Sequence, residues 1–195
     1  MDELAARFGS IDIYLFDQLL RGNIRPGMAI LDAGCGQGRN LAHFLREGYD
    51  VRGCDADAGA IAALQRQVPG DRFRVEAVEA SSFPAASADV VLSIAVLHFA
   101  GDPGHFEAML RGTWRLLKSG GLFFCRLATA IGMDGRCQPL GSGRYRLPDG
   151  TDRFLVDEAR LMALTAELGG TLVDPLKTTL VQGLRAMTTW VVRKS

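Results

Sequence analysis

Net charge is the first thing this sequence lacks. Lys plus Arg and Asp plus Glu number 22 each, so the formal charge is zero. That removes any general pull toward nucleic acid or an anionic membrane, and substrate attraction must come from local charge. No apolar run reaches the length of about 20 residues that a bilayer span requires. The first nine residues carry acids early and lack the basic-then-apolar order of a signal peptide. The four cysteines, Cys35, Cys54, Cys125 and Cys137, form no CxxC pair. Neither a metal site nor a disulfide framework is therefore indicated. Three of them sit in apolar stretches and read as buried free thiols, which suits a reducing, cytoplasmic setting. Internal repeats, low-complexity linkers, an appended recognition domain and a basic stripe are all missing, so a nucleic-acid or protein target is not the expectation.

What is present is an ordinary globular composition over 195 residues, with 48% apolar and 23% charged, suited to one domain with a real core. Residues 11–21 have helical apolar spacing and end at glycine and proline breaks. A short apolar strand at 28–31 runs into a glycine-rich turn at 32–38, and a helix is predicted over 39–47. The alternation continues with a strand at 49–55, a helix at 58–68, a strand at 73–78, a strand at 89–93, a helix at 105–117 and a strand at 122–127. Strands alternating with helices predict an α/β fold: a doubly wound three-layer sandwich around a mostly parallel sheet. The stretch 130–151 breaks the rhythm with five glycines and two prolines and reads as a long loop, of the kind that is usually functional or disordered. A helix at 157–168 follows, with Asp157 as its cap. Strands at 171–176 and 187–192 are joined by a polar, hairpin-like connection at 177–186, so the last strand should be antiparallel.

The strongest local signal is Asp32-x-Gly34-x-Gly36-x-Gly38 between strand and helix. Glycine lets the backbone turn tightly and approach a ligand, and a helix starting near residue 39 would favour an anionic group. Such a loop could serve a dinucleotide, a nucleotide or S-adenosylmethionine. The spacing is GxGxG, not the GxGxxG of dinucleotide sites. Asp32 would repel a pyrophosphate but suits a ligand with an ammonium, a sulfonium and one carboxylate. Asp55 closes the second strand, where an acid can accept both ribose hydroxyls, while Asp57 reads as the cap of the next helix. Glu79, after the third strand, can accept from an adenine amino group. All three stand at carboxyl ends of successive strands, where open α/β sheets bind ligands.

Together these segments resemble the class I S-adenosylmethionine-dependent methyltransferases. Residues 30–38 look like the family's motif I, 54–57 like its acidic motif II, and 89–93 with 95–98 like motif IV. Residues 118–121 are similar to the turn before its fifth strand. Gly38-Arg39-Asn40 with 48–51 is similar to the branch of tellurite-resistance methyltransferases. The resemblance implies a seven-stranded sheet with an antiparallel last strand. It implies S-adenosyl-L-methionine as cofactor, with S-adenosyl-L-homocysteine as product. It places Asp32, Ala33, Gly34, Cys35, Gly36 and Asn40, Asp55 with Ala56, Glu79 with Ala80, and Ser93 around that cofactor. The family often has Asp where Glu79 stands. Residues 28–127 become the cofactor-binding core, 1–27 an N-terminal helical cap, and 130–154 a substrate loop within a single domain.

A sulfonium leaves readily, so alignment and exclusion of water are the main tasks, and a base is needed only for a protonated nucleophile. His98, after the fourth strand, is the candidate base; the alternative is a hydrogen-bonded structural histidine. His43 and His105 read as structural. Tyr14, on the first helix, and Arg144, Arg146 and Arg185 are candidates for a small, anionic acceptor. Two other functions fit the same fold: a nicotinamide-dependent oxidoreductase, which the glycine spacing disfavours, and a non-catalytic sensor.

Overall fold

The computed structural model describes residues 3–195; residues 1 and 2 of the expected N-terminal cap lie outside the described residues. The order is α1 (Glu3–Phe8), α2 (Ile13–Leu20), β1 (Ala29–Ala33), α3 (Ala42–Arg46), β2 (Asp50–Asp55), α4 (Ala58–Gln67) and β3 (Phe73–Val75). Then come β4 (Ala88–Ile94), α5 (Pro103–Arg115), β5 (Leu117–Ala128), β6 (Gln138–Gly141), β7 (Arg144–Arg146) and β8 (Asp152–Phe154). The chain continues with α6 (Glu158–Glu167), β9 (Gly170–Leu172), β10 (Lys177–Val181) and β11 (Arg185–Lys194).

Seven strands follow one path, β3-β2-β1-β4-β5-β11-β10, and short β9 pairs with the far end of β11. Neighbours from β3 to β5 are parallel, whereas β11 runs antiparallel to both β5 and β10. This is the doubly wound sheet with an antiparallel last strand that the sequence predicts. Leu15 of α2, Phe44 of α3 and Ile61 and Leu64 of α4 bury one sheet face. Phe106 and Trp114 of α5 with Leu161 and Leu164 of α6 bury the other. Strands β1 and β4 are adjacent, yet their following helices lie on opposite faces, and the gap this leaves at their carboxyl ends is where such sheets take ligands.

Aspartates start four of the helices. Asp12 accepts from the Tyr14 N–H, Asp57 from Gly59 and Ala60, Asp102 from His105, and Asp157 from Arg160. Each satisfies an N–H that has no partner within its own helix. The caps expected at Asp57 and Asp157 are thus in place.

Three readings of the sequence need correction. The stretch 130–154 is not a loop: β6, β7 and β8 form their own antiparallel sheet, a small wing whose Leu147 and Leu155 pack on Ala128. The segment 177–186 is not merely a connection, because its first half is the strand β10. Its Lys-Thr-Thr opening hides the strand from an apolar-pattern search, yet edge strands tolerate polar residues. The helix predicted over 39–47 shrinks to the five residues of α3, starting at Ala42. A helix end therefore does not meet the glycine bend, and the anion-binding argument drawn from one does not hold.

Candidate functional site

The glycine bend leaves β1 at Ala33 and turns on backbones with φ of +89° at Gly34, +50° at Gly36 and +78° at Gly38. A side chain at Gly34 would collide with Val96, and one at Gly38 with Leu64 of α4. At Gly36 nothing lies within 4 Å of where a Cβ would stand, so its bare backbone faces open space. The Gly36 N–H donates to Asp55 Oδ2 at 2.7 Å, and Asp55 Oδ1 accepts from the Asp57 N–H at 2.9 Å. Two backbone donors therefore fix the Asp55 carboxylate at the end of β2.

Beside the bend lies a crevice of about 320 Å³ lined by Gly34, Asp55, Ala56, Ala77, Val78, Glu79, Ala95, Val96, Phe99, His105 and Met109. Four of the sequence-predicted residues, Gly34, Asp55, Ala56 and Glu79, meet there. Glu79 sits in a 3-10 turn over Val78–Ala80, its Oε1 3.4 Å from His105 Nε2 on α5. His105, which the sequence reads as structural, is therefore a crevice residue. A helical pattern cannot reveal which face of the helix start looks into a neighbouring gap. Ala80 ends the same turn and is exposed. Ala95 and Val96 were missed too; the φ of +62° at Ala95 marks a strained turn directly after β4.

Asp32 stands at the end of β1, 1% exposed, with no hydrogen-bond partner for either carboxylate oxygen among the described residues. Burial, and then the negative charge of Asp55, push its pKa up to about 7, with Arg39 pulling weakly the other way. Ala33 and Cys35 are buried beside it, and burial pushes the Cys35 thiol up. Asn40 is also buried, and its Oδ1 accepts the Asp12 N–H at 2.9 Å, which ties the bend to the start of α2. Ser93 lies inside the sheet, fully buried, with an unpartnered Oγ.

His98 sits in a 3-10 turn over Leu97–Phe99, 4% exposed. Its Nδ1 accepts the Ala128 N–H at 3.0 Å, and burial, then the charge on Arg153, drive its pKa down to about 4. At neutral pH the ring is uncharged, its proton is on Nε2, and its one lone pair is engaged. This geometry argues against the base role expected of His98 and matches the hydrogen-bonded alternative. Of the predicted acceptor residues, Arg146 is ion-paired with Asp152, and Arg185 lies 3.4 Å from Asp149. Both guanidiniums are thus matched by acids on the wing. Arg144 is half-buried with its Nε unpartnered. Tyr14 lies with its ring 5.1 Å from the guanidinium carbon of Arg126, and its hydroxyl is 2.7 Å from Thr179 Oγ1.

A seven-strand doubly wound sheet with a glycine bend after β1 and acids at or just beyond the ends of β2 and β3 defines a Rossmann-like domain. A family model described as "Methyltransferase domain" matches residues 31–125. The ubiquinone biosynthesis O-methyltransferase of Ruegeria sp. (strain TM1040) is 36% identical over 103 residues, which cover 51% of this chain and 40% of that protein. A SAM-dependent methyltransferase from Methanosarcina mazei superposes with a TM-score of 0.73 at 21% identity, covering 90% of this chain and 96% of the other. The 1,6-didemethyltoxoflavin-N1-methyltransferase of Burkholderia thailandensis, with 1,6-didemethyltoxoflavin and S-adenosylhomocysteine bound, superposes at 0.69 with 24% identity, covering 100% of this chain and 80% of the other. The chain spans less than half the length of the first curated relatives that it matches. Over residues 31–125 the chain is similar to methyltransferase domains, and it shares the fold of proteins named for S-adenosylmethionine. The residues fit that group: a buried carboxylate without a partner answers its ammonium, and the open backbone at Gly36 leaves room for its amino-acid end. Among the described residues no helix is long and apolar enough to cross a membrane.

Proposed function

We propose that this protein transfers a methyl group from S-adenosylmethionine to a small-molecule acceptor by in-line displacement. The observation that carries the reading is the Asp32 carboxylate, buried and unpartnered at the glycine bend, next to a crevice that Asp55 and Glu79 line. The cofactor, when bound, supplies a methyl group on a sulfonium that needs no further activation. The chain's own residues then hold and align. Asp32 accepts from the ammonium, and the bend from Gly34 to Gly36 admits the amino-acid end. Asp55, oriented by two backbone donors, accepts from the ribose. Glu79 accepts from the adenine edge, with His105 beside it. Val96, Phe99 and Met109 form apolar walls that keep water from the reacting methyl.

Residues 28–127 serve the cofactor in this reading, while α1, α2 and the wing flank the acceptor. His98 pins the turn after β4 to the end of β5 and moves no proton. Relatives named for O-methylation in ubiquinone biosynthesis and for N1-methylation of a toxoflavin precursor support a small acceptor.

Calorimetric titration with S-adenosylhomocysteine tests the proposal. Saturable binding is expected, weakened at least tenfold by Asp55→Ala. A folded sample that gives no heat and no thermal shift rejects the assignment. Binding without transfer of labelled methyl to any member of a broad small-molecule panel returns the non-catalytic sensor.

A further inference from the structure

On the sheet face that α2 covers, the row one step beyond Asp32 runs from Ile94 on β4 to Arg126 on β5 and Thr189 on β11, which are Cα partners across the strands. Such partners point their side chains to the same side. Two atoms of this row are out of keeping with a finished protein interior. Arg126 Nε and Thr189 Oγ1 are both buried, and neither has a hydrogen-bond partner among the described residues. Folded proteins satisfy nearly all such groups, so each exception asks for an explanation.

The guanidinium is otherwise well placed. Its NH1 donates to Asp12 Oδ2 at 2.5 Å, and the Tyr14 ring lies 5.1 Å away, fixed by the 2.7 Å contact of its hydroxyl with Thr179. Asp12 is the only acceptor that the described residues offer Arg126. The edge formed by Nε and NH2, the fork that matches the two oxygens of a carboxylate, is therefore left over. It is also near the chemistry. The Arg126 carbonyl accepts the Ala95 N–H at 2.7 Å, and Ala95 lines the crevice. Arg126 stands two strand spacings, roughly 10 Å, across the sheet from Asp32.

We propose that Arg126 and Thr189 form an acceptor subsite for a carboxylate: the methyl acceptor is an organic acid whose carboxylate takes the Nε/NH2 fork of Arg126 and the Thr189 hydroxyl, beneath the Tyr14 ring. The inference rests on the methyltransferase reading and adds the chemical class of its substrate. Asp12 orients the guanidinium and also competes electrostatically with the incoming anion. That gives the two side chains opposite expected effects, which a purely structural ion pair would not.

The test titrates the 195-residue protein, saturated with S-adenosylhomocysteine, with sodium benzoate and with its uncharged counterpart benzamide. Benzoate is expected to bind saturably in the millimolar range and benzamide not at all. Arg126→Gln should weaken benzoate at least tenfold. Thr189→Val, which leaves the Asp12 ion pair intact, should weaken it about threefold. Asp12→Asn should tighten it, and Arg66→Gln, exposed on α4, should leave it unchanged. Absence of benzoate binding, equal binding of benzamide, or equal benzoate affinity in Arg126→Gln or Thr189→Val and the parent overturns the subsite. Binding of S-adenosylhomocysteine is read separately on the same samples. Its loss in the parent protein rejects the methyltransferase reading, whereas its presence without benzoate discrimination rejects this inference alone.

Discussion

A carboxylate with both oxygens buried and unpartnered is costly to ionise, and Asp32 shows the consequence in a pKa near 7 against an ordinary 3.8. The folded protein therefore holds this proton more tightly than the unfolded chain does. Its stabilising share is complete below pH 4 and disappears as pH rises through 7, and amounts to about 4 kcal/mol. Asp32→Asn should thus match the parent near pH 4 and exceed it in stability at pH 8, as urea unfolding at the two pH values will show. The same variant should bind S-adenosylhomocysteine at least tenfold more weakly. His98 works in the opposite direction, because its folded pKa of about 4 lies below the ordinary 6.5. Its contribution is present above pH 6.5 and is lost as pH falls through 4. His98→Gln should flatten this acid limb in the difference between the two unfolding curves. It should change kcat by less than threefold, and a thousandfold loss of kcat with cofactor affinity intact would restore the base role. The acids at strand ends were legible in the sequence because position along a βαβ chain implies position at the sheet's edge. The atypical state of Asp32, the engaged lone pair of His98 and the place of His105 were not legible. They depend on what other strands and helices bring alongside.

At the level of elements, the glycine bend separates two requirements that the motif merges. Gly34 needs its hydrogen because a methyl group would lie 2.2 Å from Val96 Cγ2, and Gly36 needs only its φ of +50° and an open outlook. Gly34→Ala should therefore destabilise the fold by about 3 kcal/mol and lower cofactor affinity with it. Gly36→Ala should cost about 1 kcal/mol in stability yet depress affinity more than tenfold. Thermal unfolding and calorimetry on the two variants will separate these effects, and equal behaviour would mean that the crevice does not reach Gly36. Helices α4, α5 and α6 could be read from the strand–helix alternation, with aspartate caps at α4 and α6, whereas the wing could not. Strands β7 and β8 have three residues each, too few for a period to emerge, and β6 is exposed along its whole length. What identifies the wing is contact: Phe154 stacks on Phe106 of α5 at 5.0 Å, and Tyr145 packs beside Leu155 and Ala128.

Across the molecule, α2 is also fastened to the segment before β10, far from it in sequence. Asp174, 6% exposed, accepts from Gln18 Nε2 at 2.9 Å and Arg21 NH1 at 2.5 Å, with Lys177 Nζ 3.6 Å away. Burial works against its charge, but these partners outweigh it and hold the pKa below the usual carboxylate range. Asp174→Ala should cost about 2 kcal/mol, since it strands donors that the carboxylate now satisfies. Hydrogen exchange should quicken in residues 12–21 before it does in β1. Unchanged protection there would show that α2 is held by its apolar face alone.

The order of the sheet also constrains how the molecule is born. Strand β11 leaves the ribosome after both β5 and β10, yet it is the plank that lies between them. Until it arrives, the flank of β5 that carries Phe123 and Phe124 has no neighbour to bond with, and nascent β10 has nowhere to dock. Synthesis therefore passes through a stage in which a five-strand sheet ends on an uncovered β5, a seam where chaperone capture or clumping competes with completion. Thr189 reaches Arg126 only when that seam closes.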